Sequence, residues 1–217
     1  MTAPTRAARM RALPVGRRAL LLEFPDGPAA EAFHAELLRR RAETPAAVPA
    51  AEIVPGARTV LLDGVPEPEA LAAELTSWRI RSAAAGDGPA VEIPVRYDGP
   101  DVADVARLWG VRPEEVGRIH SAAEYRVAFC GFAPGFGYLT GLPARYEVPR
   151  RDNPRTVVPV GSVGLAGPYT GVYPRSSPGG WQLIGTSDAE LWDPEREPAA
   201  LLSPGTRVRF VPAGERW

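Results

Sequence analysis

Lysine is absent. All 25 residues counted as Lys plus Arg are arginine. The chain therefore offers neither the lysine that a P-loop aims at phosphates nor one that could form a Schiff base, so ATP chemistry of the Walker type has to come from another polypeptide. A single cysteine, Cys130, excludes an internal disulfide and fits a reducing cytoplasm. With only two histidines, His34 and His120, beside that cysteine, a zinc site of the usual His/Cys kind is not expected. No apolar run nears the roughly 20 residues of a bilayer-spanning helix. The opening segment, MTAPTRAARMRALPVG, is basic but has no apolar core, so it does not read as a secretory signal. It reads as a frayed tail. Acidic and basic residues nearly cancel, for a net charge of −1, which leaves no footprint for nucleic acid or an anionic membrane.

Proline and glycine, by contrast, are plentiful, at 25 and 22 residues. They concentrate between Cys130 and Gly185, with aromatic residues between them and few charges. Glycine has poor helix propensity and interior proline breaks the helical ladder, so a long helix is excluded there. Short strands joined by tight turns remain. Glycines in such a stretch take positive φ or let backbone approach a ligand, which predicts loops lining a site. A plain compact β-core is the alternative.

Upstream, Arg18–Phe24 reads as a buried strand and Ala29–Arg41 as a helix burying Phe33, Leu37 and Leu38. Two strands, Ala51–Val54 and Thr59–Leu62, flank Pro55-Gly56, and Glu67–Arg79 reads as a second helix with Leu71, Leu75 and Trp78 on one side. This order predicts a small α+β sandwich, helices on one face of an antiparallel sheet. Arg81–Pro89 is small, polar and glycine-containing, the best linker candidate. The expected division is residues 1–86 and 87–217. In the second part Val91–Tyr97 alternates as a half-buried strand. Asp101–Trp109 reads as a helix with Asp101 as N-cap and Gly110 past its end. Pro113 opens another short helix that ends near His120-Ser121. Tyr125–Phe129 and Thr206–Val211 read as strands. The overall expectation is α+β.

Few residues here can carry chemistry. His34 sits mid-helix and reads as structural or surface. His120, at a helix C-terminus, is expected to titrate near neutral pH, where proton transfer is useful, with a helix-capping role as the alternative. Cys130, on a strand beside Phe129, reads as a buried inert thiol. Ser162 lies in a Gly-Ser-Val-Gly turn that does not meet the nucleophile-elbow pattern, so its amides or hydroxyl are expected to hold a ligand. Arg155 suits bidentate pairing with carboxylates, phosphates or carbamoyl oxygens, whereas Arg150 and Arg151 read as solvated surface. Tyr138, Tyr169, Tyr173, Trp181 and Gln182 supply aromatic walls and an amide for a small planar polar substrate, with barrel core as the alternative, favoured for Trp181.

The stretch also carries an ordered set of motifs. These are Gly131-Phe132 with Pro134-Gly135-Phe136 and Tyr138-Leu139, Pro154-Arg155, Val158-Pro159, and Gly161-Ser162-Val163. Thr170-Gly171-Val172-Tyr173-Pro174 and Ser177-Pro178-Gly179-Gly180-Trp181-Gln182-Leu183-Ile184-Gly185 follow. In these the chain resembles the family of the 5-oxoprolinase B subunit, also known as allophanate hydrolase subunit 1 or the KipI type, which is the C and D part of a carboxyltransferase domain. Gly137, Thr140 and Tyr169 depart from the family's usual Pro, Gly and Gln. The resemblance implies a small N-terminal α/β sandwich followed by a cyclophilin-like β-barrel. It implies a subunit of an ATP-dependent lactam amidohydrolase, inactive alone and cytoplasmic, working with an A–B type carboxyltransferase subunit and a third subunit. The chain itself would hold no cofactor, and ATP would serve the assembled complex. Expected catalytic residues are His120, within the family pattern, and Arg155. Expected substrate contacts are Phe132, Pro134, Gly135, Tyr138, Ser162, Tyr169, Thr170 and Gln182. The alternative within the same family is a KipI-type inhibitor of a sensor histidine kinase.

Overall fold

The apolar run near the start does form a strand. A computed structural model of the chain describes residues 5–6, 10–80 and 90–214. Its contacts divide the chain into two units, Met1–Asp87 and Gly88–Trp217. The linker expected at Arg81–Pro89 lies outside the described residues.

In the first unit the elements are β1 (Thr5–Arg6), β2 (Arg11–Val15), β3 (Ala19–Glu23), α1 (Gly27–Glu43), β4 (Glu52–Pro55), β5 (Thr59–Asp63), α2 (Pro68–Thr76) and β6 (Arg79–Ile80). Strands β2-β3-β5-β4 form an antiparallel sheet in that order, and β1 pairs with β6. Alternation along β3 and β5 turns Leu20, Leu22, Val60 and Leu62 inward, into one core with Phe33 and Leu37 of α1 and Leu71 and Leu75 of α2. Leu38, expected on the same helical face, is exposed, because it falls outside the Phe33–Leu37 stripe. The frayed-tail expectation is also corrected: Arg11–Val15 pairs residue for residue with β3, from Arg11 opposite Glu23 to Val15 opposite Ala19. Pro14 is tolerated because β2 is an edge strand.

The second unit holds β7 (Val91–Val95), α3 (Val102–Trp109), α4 (Pro113–Ala122), β8 (Tyr125–Cys130), β9 (Gly137–Thr140), β10 (Arg155–Val158), β11 (Ser162–Ala166), β12 (Tyr169–Val172), β13 (Ser177–Gly179), β14 (Gln182–Thr186) and β15 (Arg207–Pro212). Among the described residues seven strands form one sheet, ordered β14-β11-β12-β9-β8-β15-β7. Just beyond β7, Arg96 exchanges two 2.8 Å backbone hydrogen bonds with Thr186 of β14. The two ends of the sheet thus meet, and the result is a nearly closed barrel, in the α+β class expected. Its interior joins Ile93, Val95, Leu139, Val163, Ile184 and Phe210 with Val105 and Ala106 of α3 and Val116 of α4. Closure removes most of the exposed edge. A separate antiparallel ribbon, β10 with β13, carries Arg155 opposite Gly179. Phe136, Tyr173 and Trp181 pack with Val158 and Leu183 in a second, aromatic cluster.

Candidate functional site

Asp101 stands at the N-cap position of α3, as expected, but its carboxylate organises the site and not the cap. Its side chain makes no capping hydrogen bond to α3. Gly99 is the reason it sits elsewhere: a Cβ there would collide with the Leu183 carbonyl oxygen, so only glycine lets this segment lie against β14. The backbone N–H of Asp101 then donates to the Leu183 carbonyl, and the Leu183 N–H returns a 2.7 Å bond to Asp101 Oδ2. The other carboxylate oxygen, Oδ1, accepts from Arg151 Nη1 and Arg155 Nη2, each at 2.7 Å. The carboxylate is 2% exposed. Burying it is tolerable only because it is paired and hydrogen-bonded on both oxygens.

Two guanidinium groups share one carboxylate, so one positive charge is left over. The polar inventory is also incomplete. Arg151 Nε, Arg155 Nη1, Gln182 Oε1 and Ser177 Oγ are buried with no hydrogen-bond partner among the described residues. Buried polar groups are nearly always paired, and a cluster of exceptions marks a place where something binds. A cavity of about 330 Å3 opens beside two of them, Arg151 and Gln182. Asp104, Arg107 and Leu108 of α3 form one wall, the segment Pro149–Asn153 another, and Gln182 completes the lining. Arg151, expected to be solvated surface, is therefore part of the site.

Arg155 and Gln182 are brought together here, Gln182 preceding the Leu183 amide that Asp101 binds. The buried aromatic cluster lies on neighbouring strands, with none of its rings lining the cavity. Trp181 packs edge-to-face with Phe136 and Tyr138, at 5.4 and 5.6 Å between ring centroids, and Tyr173 packs on Phe136 at 5.4 Å. Burial pushes the Tyr173 phenol up to about 12, and the charges of Arg150 and Arg155 oppose that shift. Burial raises Tyr138 too, again against Arg150. These phenols stay protonated donors within the field of Arg150, and for Tyr173 also of Arg155. Phe132 edges onto Phe136 and Tyr173 and is 54% exposed. Its backbone sits at φ 67°, the left-handed region that a bulky side chain rarely enters. Tyr138 also stacks on Phe129 at 4.3 Å, with Tyr169 edge-on to both. Pro134 is exposed, whereas Gly135 is buried and close-packed against Leu191 and Trp192.

Of the expected residues only Gln182 lines the cavity, and three, His120, Thr170 and Ser162, are sealed in the interior. His120 is 0% exposed, inside the barrel, not at its mouth. Its Nδ1 lies 2.9 Å from the Tyr97 hydroxyl and its Nε2 3.4 Å from that of Thr170, with Tyr125 and Phe210 against the ring. Desolvation drags its pKa down to about 3. The near-neutral titration expected from its helix terminus is therefore overturned: burial outweighs the helix end, and the imidazole stays neutral. Thr170 belongs to that sealed cluster. Ser162 is also buried, its hydroxyl donating to the Pro159 carbonyl at 2.8 Å, which holds a turn and not a ligand. Cys130 is half-buried, not fully buried as expected, and donates to the Leu202 carbonyl, while desolvation pushes its thiol up. His34 is buried in α1, with its pKa lowered to about 4 by desolvation and then by Arg41. Among the described residues no group of three His, Cys, Asp or Glu side chains could hold a metal ion, and no helix is long and apolar enough to cross a membrane.

Asp101 and Arg151 are the residues that sequence reasoning missed. The partners that define Asp101 lie 50, 54 and 82 positions away. The signal available was the run Arg150-Arg151 preceding Arg155 in so uncharged a stretch.

Comparison with known proteins is extensive. Residues 10–202 match the family model described as carboxyltransferase domain, subdomain C and D. The chain is 42% identical to the 5-oxoprolinase B subunit of Escherichia coli O157:H7, covering 95% of this chain and 98% of that one. It is 50% identical to the 5-oxoprolinase B subunit of Bacillus subtilis (strain 168), over 58% of this chain and 54% of that one. Among solved structures, TTHA0988 superposes with a TM-score of 0.75 at 36% identity, covering 92% of this chain. The chain spans only 40% of that protein's length. The uncharacterized protein PH0987 from Pyrococcus horikoshii matches at 35% identity and a TM-score of 0.57, over 94% of this chain and 98% of that one. The K. lactis urea amidolyase shares the fold, with a TM-score of 0.73 at 20% identity, over 97% of this chain and 15% of that one.

Proposed function

The chain belongs to the carboxyltransferase subdomain C and D family, and from that premise we propose that it is one subunit of an ATP-dependent 5-oxoprolinase. The names of its relatives support this. So does one observation: a pair of guanidinium groups, fixed by a buried Asp101, with an aromatic cluster on neighbouring strands. Such a surface suits a small planar molecule with a carboxylate, which is what 5-oxoproline presents. In this reading Arg151 and Arg155 hold the anionic end. Tyr138 and Tyr173 offer ring faces and phenolic donors. The chain has no lysine, and in this reading the ATP step belongs to the assembled complex, with an A–B type carboxyltransferase subunit and a third subunit completing the catalytic set in the cytoplasm.

The test is reconstitution. The chain purified alone is expected to show no hydrolysis of 5-oxoproline. Co-expressed with the proteins encoded beside it, it should release glutamate and phosphate together and only when ATP is supplied. Robust turnover by the chain alone overturns the subunit reading. A reconstituted complex that ignores 5-oxoproline overturns the substrate.

A further inference from the structure

The unpaired polar atoms around Asp101 have a definite chemical sense. Arg151 Nε and Arg155 Nη1 are donors, so each calls for an acceptor. Gln182 is different. Its Nε2 donates to the Pro149 carbonyl at 3.3 Å, which fixes the orientation of the amide. That leaves Oε1 as the unpaired end, an acceptor calling for a donor. The side chain is only 7% exposed, and it lines the cavity together with Arg151. A simple carboxylate would answer the arginines and repel Gln182 Oε1. A planar amide answers both, because its carbonyl or neighbouring carboxylate accepts while its N–H donates.

Resting on the 5-oxoprolinase reading, we infer that Gln182 is a specificity-determining residue, whose side-chain carbonyl reads the N–H of a carboxylated lactam or acylurea. Arg151, which lines the cavity, holds the adjacent acceptor oxygen, and Arg155 backs it through their shared Asp101 carboxylate. The cavity, at about 330 Å3, lies at the lower end of the roughly 300–1,000 Å3 of small-molecule sites, the size for one such ring. A buried acceptor built to meet an N–H rejects an analogue lacking it far more strongly than an apolar pocket rejects a missing methylene.

The experiment is calorimetric titration of the full chain, without partners, with two probes. One is 5-oxoproline. The other is the matching γ-lactone carboxylate, in which a ring oxygen replaces the N–H and presents lone pairs to Gln182. The wild-type chain should bind the lactam at least about tenfold more tightly than the lactone. Gln182→Met, similar in size but without the amide, should bring the two affinities together. Arg155→Met should weaken both probes alike. Equal binding of the probes by the wild type overturns the inference, as does a lactam preference that survives Gln182→Met, or failure of the chain to bind either probe. Should Gln182→Met not fold, the wild-type ratio decides alone. Failures stay separable from those of the proposed function. Selective binding with an inactive reconstituted complex sinks the 5-oxoprolinase reading and leaves Gln182 as the N–H reader. An active complex without selectivity does the reverse.

Discussion

His120 and Asp101 are both buried polar residues of the barrel unit, yet one is sealed and the other open-ended. Around His120 both ring nitrogens face hydroxyl groups, aromatic rings close the sides, and desolvation keeps the imidazole uncharged. Around Asp101 the groups are charged, positive charge exceeds negative, and several polar atoms have no protein partner among the described residues. A buried polar residue whose needs are met locally is architecture. One whose surroundings keep unanswered donors and acceptors beside a cavity is a binding site. Titratable side chains alone do not tell the two apart, since the histidine is the more obvious chemical candidate by type and the aspartate by surroundings.

Three measurements can break or sharpen that contrast. The largest effect is expected at Asp101. Asp101→Ala strands two partly buried guanidinium groups and the Leu183 N–H, and removing one partner of a buried pair costs about 3–5 kcal/mol. A shift of the denaturant midpoint checks this, and an unchanged midpoint would show that the arginines need no anchor. Next comes Arg155→Ala. Asp101 keeps Arg151, so the loss should be one charge-assisted bond, about 1.5–3 kcal/mol, while activity of the reconstituted complex should fall by about tenfold or more. Full activity would place the anionic end of the substrate elsewhere. The smallest effect concerns pH. Unfolded His120 takes up a proton near the ordinary histidine value of 6.5, whereas folded His120 resists protonation until about 3. Its contribution is therefore complete above about 6.5 and is lost as pH falls toward about 3. His120→Gln should flatten the decline of stability across that window relative to wild type, with little change in binding of 5-oxoproline. Loss of binding without loss of fold would return His120 to the site.

Local rules made much of this visible in advance. A short apolar run located β3, alternation located β7 and β15, and the glycine past Trp109 marked the end of α3, where Gly110 takes φ 68°. What stayed hidden depended on distant chain. Arg11–Val15 has no periodicity of its own and becomes a strand only because β3 offers it a partner. Asp101 is legible as the N-cap residue of α3, but its side-chain bonds come from loop, ribbon and strand far along the sequence. Arg155 and Gln182 were legible as polar residues in an uncharged glycine-proline stretch. His120 was legible by position, but its burial is set by Tyr97, Tyr125 and Phe210, each from a different part of the barrel unit.

The way the barrel closes also bears on its biosynthesis. Strand β7 is made early, yet its ladder partner is β15, and the residue after it, Arg96, bonds Thr186. The sheet of the first unit, by contrast, is complete once β5 has been made. On the ribosome that first sheet can therefore pair in full while β7 still waits for β15, the last strand of the unit. Until it emerges, an apolar strand carrying Ile93 and Val95 stands with an open edge. Non-local pairing of this kind folds slowly and exposes the chain to aggregation, so the interval before β15 arrives is the one in which the open edge of β7 can pair wrongly.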